Sequence, residues 1–241
     1  MNFKETMLRS AETRKSRVVL ALDFSDPYEQ RLARAERVLK ATKGGIAAVK
    51  VNHHLLLPYG LRGMGSLIET CKREELPLIA DLKMNDIEST NLNIVDSLLA
   101  FGFDAVTANP FVGWEEGLGR VVERVHSKDG GIIFLVYMSH KGATEGYSLR
   151  VEDGEPLYRK FAKRAKDWGA DGVVVSAKSL DKIAETREIV GKDCLIFSPG
   201  IGAQGGDVRA DVAPTADFII VGRSVTEAPD PSKILKELNG K

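Results

Sequence analysis

The residues best suited to chemistry lie at the end of one apolar segment, Pro77-Leu78-Ile79-Ala80-Asp81-Leu82-Lys83. Alternate side chains of a β-strand share a face, so we expect Asp81 and Lys83 to lie side by side. A carboxylate and an ammonium away from water are costly to desolvate, and such a pair is weak evidence for stability. A chain that keeps one at a strand end is therefore expected to use it. An ordinary ion pair at a sheet edge is the alternative, and this segment alone does not decide between the two.

A second candidate is the glycine-rich segment 198–207, which is followed, after one more predicted strand, by Val221-Gly222-Arg223-Ser224. Glycines let backbone N–H groups approach an anion closely, and a helix N-terminus attracts negative charge. Arginine adds a bidentate fork that suits phosphate. The combination predicts a phosphate site that includes Arg223.

Composition limits the classes of partner. The chain has 241 residues, of which 43% are hydrophobic, and its 34 basic and 34 acidic residues give a formal net charge of zero. That balance does not indicate a nucleic-acid or membrane-surface protein, and no apolar run approaches the roughly 20 residues of a membrane span. Cys71 and Cys194 have no metal-binding spacing, which favours a reducing compartment. With no secretion signal visible, we expect a cytoplasmic protein.

Short β-branched segments alternate with segments of helical periodicity along the whole chain. One predicted helix runs from the second strand to about residue 74, and Asp26-Pro27-Tyr28-Glu29 predicts a capping box. Similar helix-to-strand joints recur at Gly102-Phe103-Asp104, Gly169-Ala170-Asp171 and Thr215-Ala216-Asp217, which indicates repeated βα units. The predicted strands are 18–23, 47–51, the segment that begins at 77, 104–108, 131–138, 172–176, 195–198 and 218–221.

Eight strands alternating with helices predict a parallel sheet. The length matches a single α/β barrel, so a (β/α)8 TIM barrel is the predicted fold, as one domain over 1–241 with the barrel core at about 18–225. An open doubly wound sheet is the alternative, but it would favour a glycine-rich turn after the first strand. Asp23-Phe24-Ser25-Asp26 is no such turn. Whether the first 15 or so residues pack stays open.

A barrel would bring the candidate residues together, because the carboxyl ends of its strands form one face that carries the active site. The candidates lie at or just beyond those ends, although they are spread over the sequence: Asp23, Lys50, Asp81, Lys83, Ser139, the Ser198-Pro199-Gly200 turn and Arg223. The loops after the seventh and eighth strands are also where barrels commonly bind phosphate.

These segments resemble the orotidine 5′-phosphate decarboxylase family, of the compact archaeal type, from about residue 18 to residue 225 and in the family's order. The Asp-x-Lys-x-x-Asp pattern alone also occurs in a wider group of phosphosugar-acting barrels, whereas the Met-Ser-His and Gly-Ala-Gln-Gly-Gly segments are specific to this branch. The matching segments are Leu20-Ala21-Leu22-Asp23, Val49-Lys50, Asp81-x-Lys83-x-x-Asp86-Ile87, Met138-Ser139-His140, the run from Pro199 to Asp207, and Val221-Gly222-Arg223-Ser224.

The resemblance implies decarboxylation of orotidine 5′-monophosphate to uridine 5′-monophosphate, in pyrimidine biosynthesis, with no metal and no organic cofactor. Lys83 would stabilise and then protonate the carbanion at C6. Asp81 would hold Lys83 charged beside the substrate carboxylate. Lys50 and Asp86 would complete an alternating chain of charges.

The resemblance also implies a homodimer with shared sites, in which Asp86, Ile87 and Thr90 enter the neighbouring subunit's site. Asp86 could instead simply cap a helix. The resemblance further implies that Asp23 and Lys50 contact the ribose and that Ser139 contacts the pyrimidine edge. Gln204 would lie between base and phosphate as part of a closing lid. Gly202, Gly222 and Arg223 would bind the phosphate. Taken alone, Ser139 could merely end a strand and Gln204 could be an ordinary loop residue.

Three departures from the family's pattern concern loop shape and not the charges: Asn52-His53-His54, Glu88-Ser89 and Lys141. The adjacent histidines lack a neighbouring carboxylate or cysteine at ligand spacing, so we interpret them as a turn.

Two other functions stay open. One is a magnesium-dependent ketogulonate- or hexulose-phosphate-type lyase, which shares the Asp-x-Lys-x-x-Asp strand; the other is a catalytically silent nucleotide-binding protein.

Overall fold

The structure is a computed structural model and describes residues 1–200 and 215–240. Eight parallel strands close into a barrel in sequence order, with β8 pairing to β1. The predicted (β/α)8 barrel is therefore confirmed. The strands are β1 (Val18–Ala21), β2 (Ala48–Asn52), β3 (Leu78–Met84), β4 (Ala105–Ala108), β5 (Gly131–Tyr137), β6 (Gly172–Val175), β7 (Leu195–Pro199) and β8 (Phe218–Val221).

Helices lie around the barrel between successive strands. They are α1 (Phe3–Arg14), which precedes β1, then α2 (Tyr28–Thr42), α3 (His53–Gly63), α4 (Gly65–Arg73), α5 (Glu88–Phe101), α6 (Gly119–His126), α7 (Ala143–Tyr147), α8 (Leu157–Asp167) and α9 (Leu180–Val190). Two further helices, Arg223–Thr226 and Pro231–Leu238, follow β8. In the described parts of the chain, no helix is both long and apolar enough to cross a membrane.

The first helix closes the amino-terminal end of the barrel. Phe3, Met7 and Ala11 are buried in one cluster with the inward-facing side chains of the strands, including Ile79 of β3. The Phe3 ring covers Gly131 so closely that a Cβ on Gly131 would lie 2.2 Å from it. The first 15 or so residues therefore pack against the core, at the end of the barrel opposite the candidate residues.

The three recurring joints have one structural role. Asp104 accepts the Leu78 N–H at 2.7 Å, Asp171 accepts the Ile132 N–H at 2.9 Å, and Asp217 accepts the Ile196 N–H at 2.7 Å. In each case the aspartate before an even-numbered strand caps the start of the preceding strand. The repetition that the sequence shows is thus a repeated way of fixing neighbouring strands against each other.

Local predictions differ from the structure in several places. The predicted capping box at Asp26 is wrong: Pro27 is the N-cap of α2 with no side-chain cap bond, because the Asp26 carboxylate pairs with Arg34 instead. The single helix predicted up to residue 74 is two helices, which meet at Met64. The segment 139–155, which showed no periodicity, contains the short helix α7.

Candidate active site

One carboxylate, that of Asp81, binds two ammonium groups at the open end of the barrel. Lys50 Nζ lies 2.5 Å from Asp81 Oδ2, and Lys83 Nζ lies 2.8 Å from Asp81 Oδ1. Lys50 comes from β2 and the other two residues from β3, and Lys50 also lies 3.6 Å from Asp23, just beyond β1. The structure thus brings together four residues from three strands that the sequence predicted to converge.

The charge array of Lys50, Asp81 and Lys83 is buried on one side and partly exposed on the other. The side chains of Lys50 and Asp81 are 7% and 10% exposed, whereas that of Lys83 is 33% exposed. Burial works to raise the pKa of Asp81, but the ammonium groups of Lys50 and Lys83 outweigh it and hold that pKa well below its ordinary range. Burial works to lower the pKa of Lys50, and the carboxylates of Asp81 and Asp23 reverse this, so the net pKa is raised. The opposite shifts of these two pKa values hold both Asp81 and Lys50 in their charged forms.

Lys83 does not follow the regular alternation of a strand. Its φ of 51° places it in the left-handed region, and the pairing of β3 with β4 shifts register between Ala80 and Met84. Lys83 does lie beside Asp81, as predicted. The cause, however, is a bulge in β3 and not the regular alternation of side chains along a strand. Irregular backbone of this kind is common next to active sites.

Thr107 of β4 is a member of the site that sequence reasoning missed. It is 2% exposed, its Oγ1 donates to Asp81 Oδ1 at 2.9 Å, and it accepts the Lys83 backbone N–H at 2.9 Å. In the sequence it is one β-branched residue within a predicted strand. Only the alternation with the inward-facing Ala105 could have indicated that Thr107 points into the barrel.

Asp23 is half-buried, and its two carboxylate oxygens differ: Oδ2 lies 3.6 Å from Lys50 Nζ, whereas Oδ1 has no such neighbour in the described part of the chain. Asp23 Oδ1 is buried and has no hydrogen-bond partner among the residues that the structure describes. Buried carboxylate oxygens normally accept hydrogen bonds, so an unpartnered one at the mouth of a barrel is available for a ligand donor.

The segment that follows β3 is exposed from Asn85 to Ile87. Asp86 and Ile87 are exposed, and Thr90 is partly buried in the first turn of α5. Asp86 Oδ1 accepts the Ile87 N–H at 2.7 Å, and within 1–200 and 215–240 the residue forms no ion pair. The alternative that Asp86 caps α5 is wrong, because Ile87 is the N-cap and no side chain caps this helix. Asp86 thus does not join the charges of its own barrel.

The remaining candidates surround the same opening. Ser139 follows β5 and is half-buried, and a Cβ added to Gly200 would lie 3.5 Å from the Ser139 Cβ, so the two positions are neighbours. Gly222 follows β8 beside Ala21, and Arg223 is exposed at the start of the next helix. Gly202 and Gln204 lie outside the described residues.

The histidines offer no metal site in the described chain. His53 and His54 are exposed and begin α3, so the predicted turn is wrong in its geometry. Over residues 1–200 and 215–240, no group of three or more His, Cys, Asp or Glu side chains could hold a metal ion. A cavity of about 780 Å³ lies at the other end of the barrel, between Phe3, Lys72 and Asp104, and none of the candidate residues that the structure describes borders it.

Comparison with known proteins assigns the family. The model of the orotidine 5′-phosphate decarboxylase / HUMPS family matches residues 16–238. The orotidine 5′-phosphate decarboxylase of Pyrococcus abyssi is 36% identical over 221 residues, which are 92% of this chain and 96% of that protein. The chain belongs to the orotidine 5′-phosphate decarboxylase / HUMPS family.

Two solved structures agree with this assignment. The orotidine 5′-phosphate decarboxylase of Pyrococcus horikoshii superimposes with a TM-score of 0.74 at 34% identity, over 92% of this chain and 97% of that one. The orotidine 5′-monophosphate decarboxylase of Methanocaldococcus jannaschii, solved with the inhibitor BMP, gives a TM-score of 0.77 at 27% identity, over 93% of this chain and 97% of that one. The expected enzyme class, an orotidine 5′-phosphate decarboxylase of pyrimidine nucleotide synthesis, is confirmed.

Proposed function

We propose that this enzyme releases carbon dioxide from orotidine 5′-monophosphate without a metal ion or organic cofactor, and that Lys83 delivers the proton to C6. The observation that carries the proposal is the contact of the Asp81 carboxylate with the ammonium groups of Lys50 and Lys83. When the bond from C6 to the carboxylate breaks, its electron pair stays on C6. The pair then takes a proton from Lys83 Nζ, and the resulting amine regains a proton from water.

The energy available from one ammonium suits this task. Two unit charges about 4 Å apart interact by roughly 4 kcal/mol at an effective dielectric constant of about 20, which corresponds to about three powers of ten in rate. Lys83 is held at 2.8 Å by Asp81 yet keeps a third of its side chain open to the barrel mouth. It is therefore fixed in position and still able to meet a substrate.

The surroundings of Asp81 support a reaction without metal. Asp81 Oδ2 accepts from Lys50, and Asp81 Oδ1 accepts from Lys83 and from Thr107. A divalent cation at this carboxylate would have to displace these donors and lie beside two ammonium groups, which Coulomb repulsion opposes. The array thus favours the decarboxylase over the magnesium-dependent lyase that shares the same strand motif.

The other candidate residues are proposed to bind the remaining parts of the nucleotide. The unpartnered Asp23 Oδ1 supports a hydrogen bond from a ribose hydroxyl, with Lys50 alongside. Ser139 is proposed at the pyrimidine edge, with Gln204 between base and phosphate. Arg223, which is exposed and forms no ion pair with a described residue, is proposed at the phosphate with the backbone of Gly202 and Gly222.

We also propose a homodimer in which each subunit completes the other's site with Asp86, Ile87 and Thr90. Large apolar side chains are exposed after three consecutive strands: Leu57 at 77%, Ile87 at 62% and Phe111 at 63%. Exposed apolar residues gathered on one side of a molecule are typical of protein interfaces.

A cytoplasmic location is proposed as well, because Cys71 and Cys194 are both unpaired thiols in the structure.

The direct test is the turnover of orotidine 5′-monophosphate followed by ultraviolet absorbance, with no metal added and in the presence of excess EDTA. We expect full activity in EDTA and UMP as the product. Activity that EDTA abolishes and magnesium restores would favour the lyase chemistry. Tight binding of UMP with no turnover would instead favour a silent nucleotide-binding protein.

A further inference from the structure

The backbone of Lys83 is held in an unfavourable conformation. A residue other than glycine in the left-handed region costs about 1–2 kcal/mol, and Lys83 has a φ of 51° in a strand whose pairing is interrupted by a bulge. Such a conformation persists only where the surrounding structure enforces it. One of the groups in contact with Lys83 must therefore hold its backbone in the left-handed conformation.

That group is the hydroxyl of Thr107 on the neighbouring strand. Its Oγ1 accepts the backbone N–H of Lys83 at 2.9 Å and donates its own hydrogen to Asp81 Oδ1 at 2.9 Å. Because Lys83 Nζ also donates to Asp81 Oδ1 at 2.8 Å, the three residues form a closed ring of hydrogen bonds. Thr107 is 2% exposed, so water does not replace its hydroxyl.

We propose that Thr107 is a positioning residue of this site, which fixes both the Asp81 carboxylate and the left-handed backbone of Lys83 and so sets where the Lys83 ammonium stands. The proposal rests on the proposed function of Lys83. Thr107 itself touches no reacting atom, because its hydroxyl is already used by Asp81 and Lys83. Its removal leaves the Lys83 N–H without a partner, and the ammonium is then free to shift.

The expected effect is on the rate and not on product binding. A displacement of about 1 Å at a reacting group can cost on the order of a hundredfold in rate. We expect kcat of Thr107→Val, which keeps the shape and loses the hydroxyl, to fall by about 10- to 100-fold. UMP lacks the carboxylate that reacts, so its Kd should change by less than about threefold. Thr107→Ser keeps the hydroxyl and should stay within about fivefold of wild-type kcat.

A matched control separates positioning from a general loss of packing. Thr42 is also buried, at 1% exposure, and its Oγ1 donates to the Val38 carbonyl at 2.7 Å, away from the site. Thr42→Val should therefore lose a buried hydrogen bond and keep wild-type kcat. If Thr107→Val does not fold, Thr107→Cys replaces it, since a thiol is larger than a hydroxyl group and is only a weak hydrogen-bonding partner.

A second measurement does not depend on the reaction. The Lys83 amide is protected by Thr107 in the wild type, so its hydrogen exchange, followed by NMR, should be at least about tenfold faster in Thr107→Val and near wild type in Thr107→Ser. Wild-type kcat in Thr107→Val, failure of Thr107→Ser to retain activity, or unchanged exchange at Lys83 would each overturn the proposal. A wild-type enzyme without turnover would contradict the proposed function alone, because the exchange result would still decide the role of Thr107.

Discussion

Lys50 Nζ lies 2.5 Å from Asp81 Oδ2, and both side chains are buried in the barrel. A buried ion pair of this kind gains little over a well-packed apolar pair, because desolvation offsets the attraction between the charges. Each partner nevertheless depends on the other, since a buried charge left alone is strongly destabilising. The Lys50–Asp81 pair therefore serves the site and adds little to the free energy of unfolding.

Replacing Asp81 by asparagine should destabilise the protein. Asp81→Asn leaves the buried Lys50 without its nearest counter-charge, and we expect the free energy of unfolding in urea to fall by about 3–5 kcal/mol. Asp96→Asn is the control, because its partner Arg124 is 40% exposed and such pairs contribute about 0–1 kcal/mol. The double variant Lys50→Met/Asp81→Leu should regain most of the stability while remaining inactive. Equal stability of Asp81→Asn and wild type at pH 7 would contradict this account.

The same pair predicts a pH dependence. Because the folded pKa of Asp81 is depressed, its contribution is fully present above the ordinary aspartate value of 3.8 and is lost as the pH falls through the folded value. The difference in stability between wild type and Asp81→Asn should hence be constant above about pH 5 and shrink below about pH 4.

Removing the Lys83 ammonium should abolish the reaction and keep the fold. Asp81 would retain its contacts with Lys50 and Thr107, so Lys83→Ala should show wild-type circular dichroism while kcat falls by at least about 10³-fold. Lys128→Ala, at an exposed position away from the site, is the control and should be fully active. Residual activity within tenfold of wild type would remove Lys83 from the proposed role.

The strand order and the meeting of distant charges could be predicted from the sequence, because both follow from periodicity. Alternating β and α segments specify a parallel barrel, and the carboxyl ends of its strands necessarily share one face. Lys50 and Asp81 come together for that reason. The three aspartate joints were visible as a repeat, although their role as strand caps needed the register of neighbouring strands.

What the sequence could not predict depends on contacts between distant residues. Thr107 is indistinguishable from any strand threonine until β4 is aligned with β3, and the left-handed backbone of Lys83 depends on that contact. Likewise, Asp26 has the sequence context of a helix cap, but Arg34 takes its carboxylate and also reaches the Thr226 carbonyl at 3.0 Å. Tertiary partners outweigh local preference in both cases.

The His126–Asp171 pair should make stability depend on pH near neutrality. His126 Nε2 lies 3.0 Å from Asp171 Oδ2, and this hydrogen bond raises the pKa of His126. The contribution of the pair is therefore complete below the ordinary histidine value of 6.5 and is lost as the pH rises through the raised folded value. It should not exceed about 1 kcal/mol, because the imidazole is 40% exposed.

Melting temperatures measured at several pH values test this pair. The difference between wild type and His126→Gln should be largest near about pH 5.5 and vanish near about pH 9. His140→Gln is the control, because His140 is an exposed loop residue, and it should show no such trend. A difference for His126→Gln that grows with pH would show that the sign is wrong.

Loss of the Arg223 guanidinium should weaken phosphate binding far more than it affects folding. A hydrogen bond to a charged group contributes about 1.5–3 kcal/mol, so Arg223→Ala should raise the Kd for UMP by about 10- to 100-fold. Arg223 is exposed, so the free energy of unfolding should change by no more than about 0.5 kcal/mol. Uridine serves as the control ligand and should bind both proteins equally. Equal affinity of the wild type for UMP and uridine would refute the phosphate site.

Two inactive variants should restore activity when they are mixed, if subunits share their sites. Lys83→Ala and Asp86→Ala should each be inactive alone, because each removes one member of every site. In a mixed dimer, one site carries both changes and the other carries neither. Random exchange makes half of the dimers mixed, so about one quarter of wild-type activity should return. Activity should not return when Lys83→Ala is mixed with Asp81→Asn, since both changes lie in the same subunit's array. Full activity of Asp86→Ala alone, or no recovery in the first mixture after verified exchange of subunits, would show that each barrel works by itself.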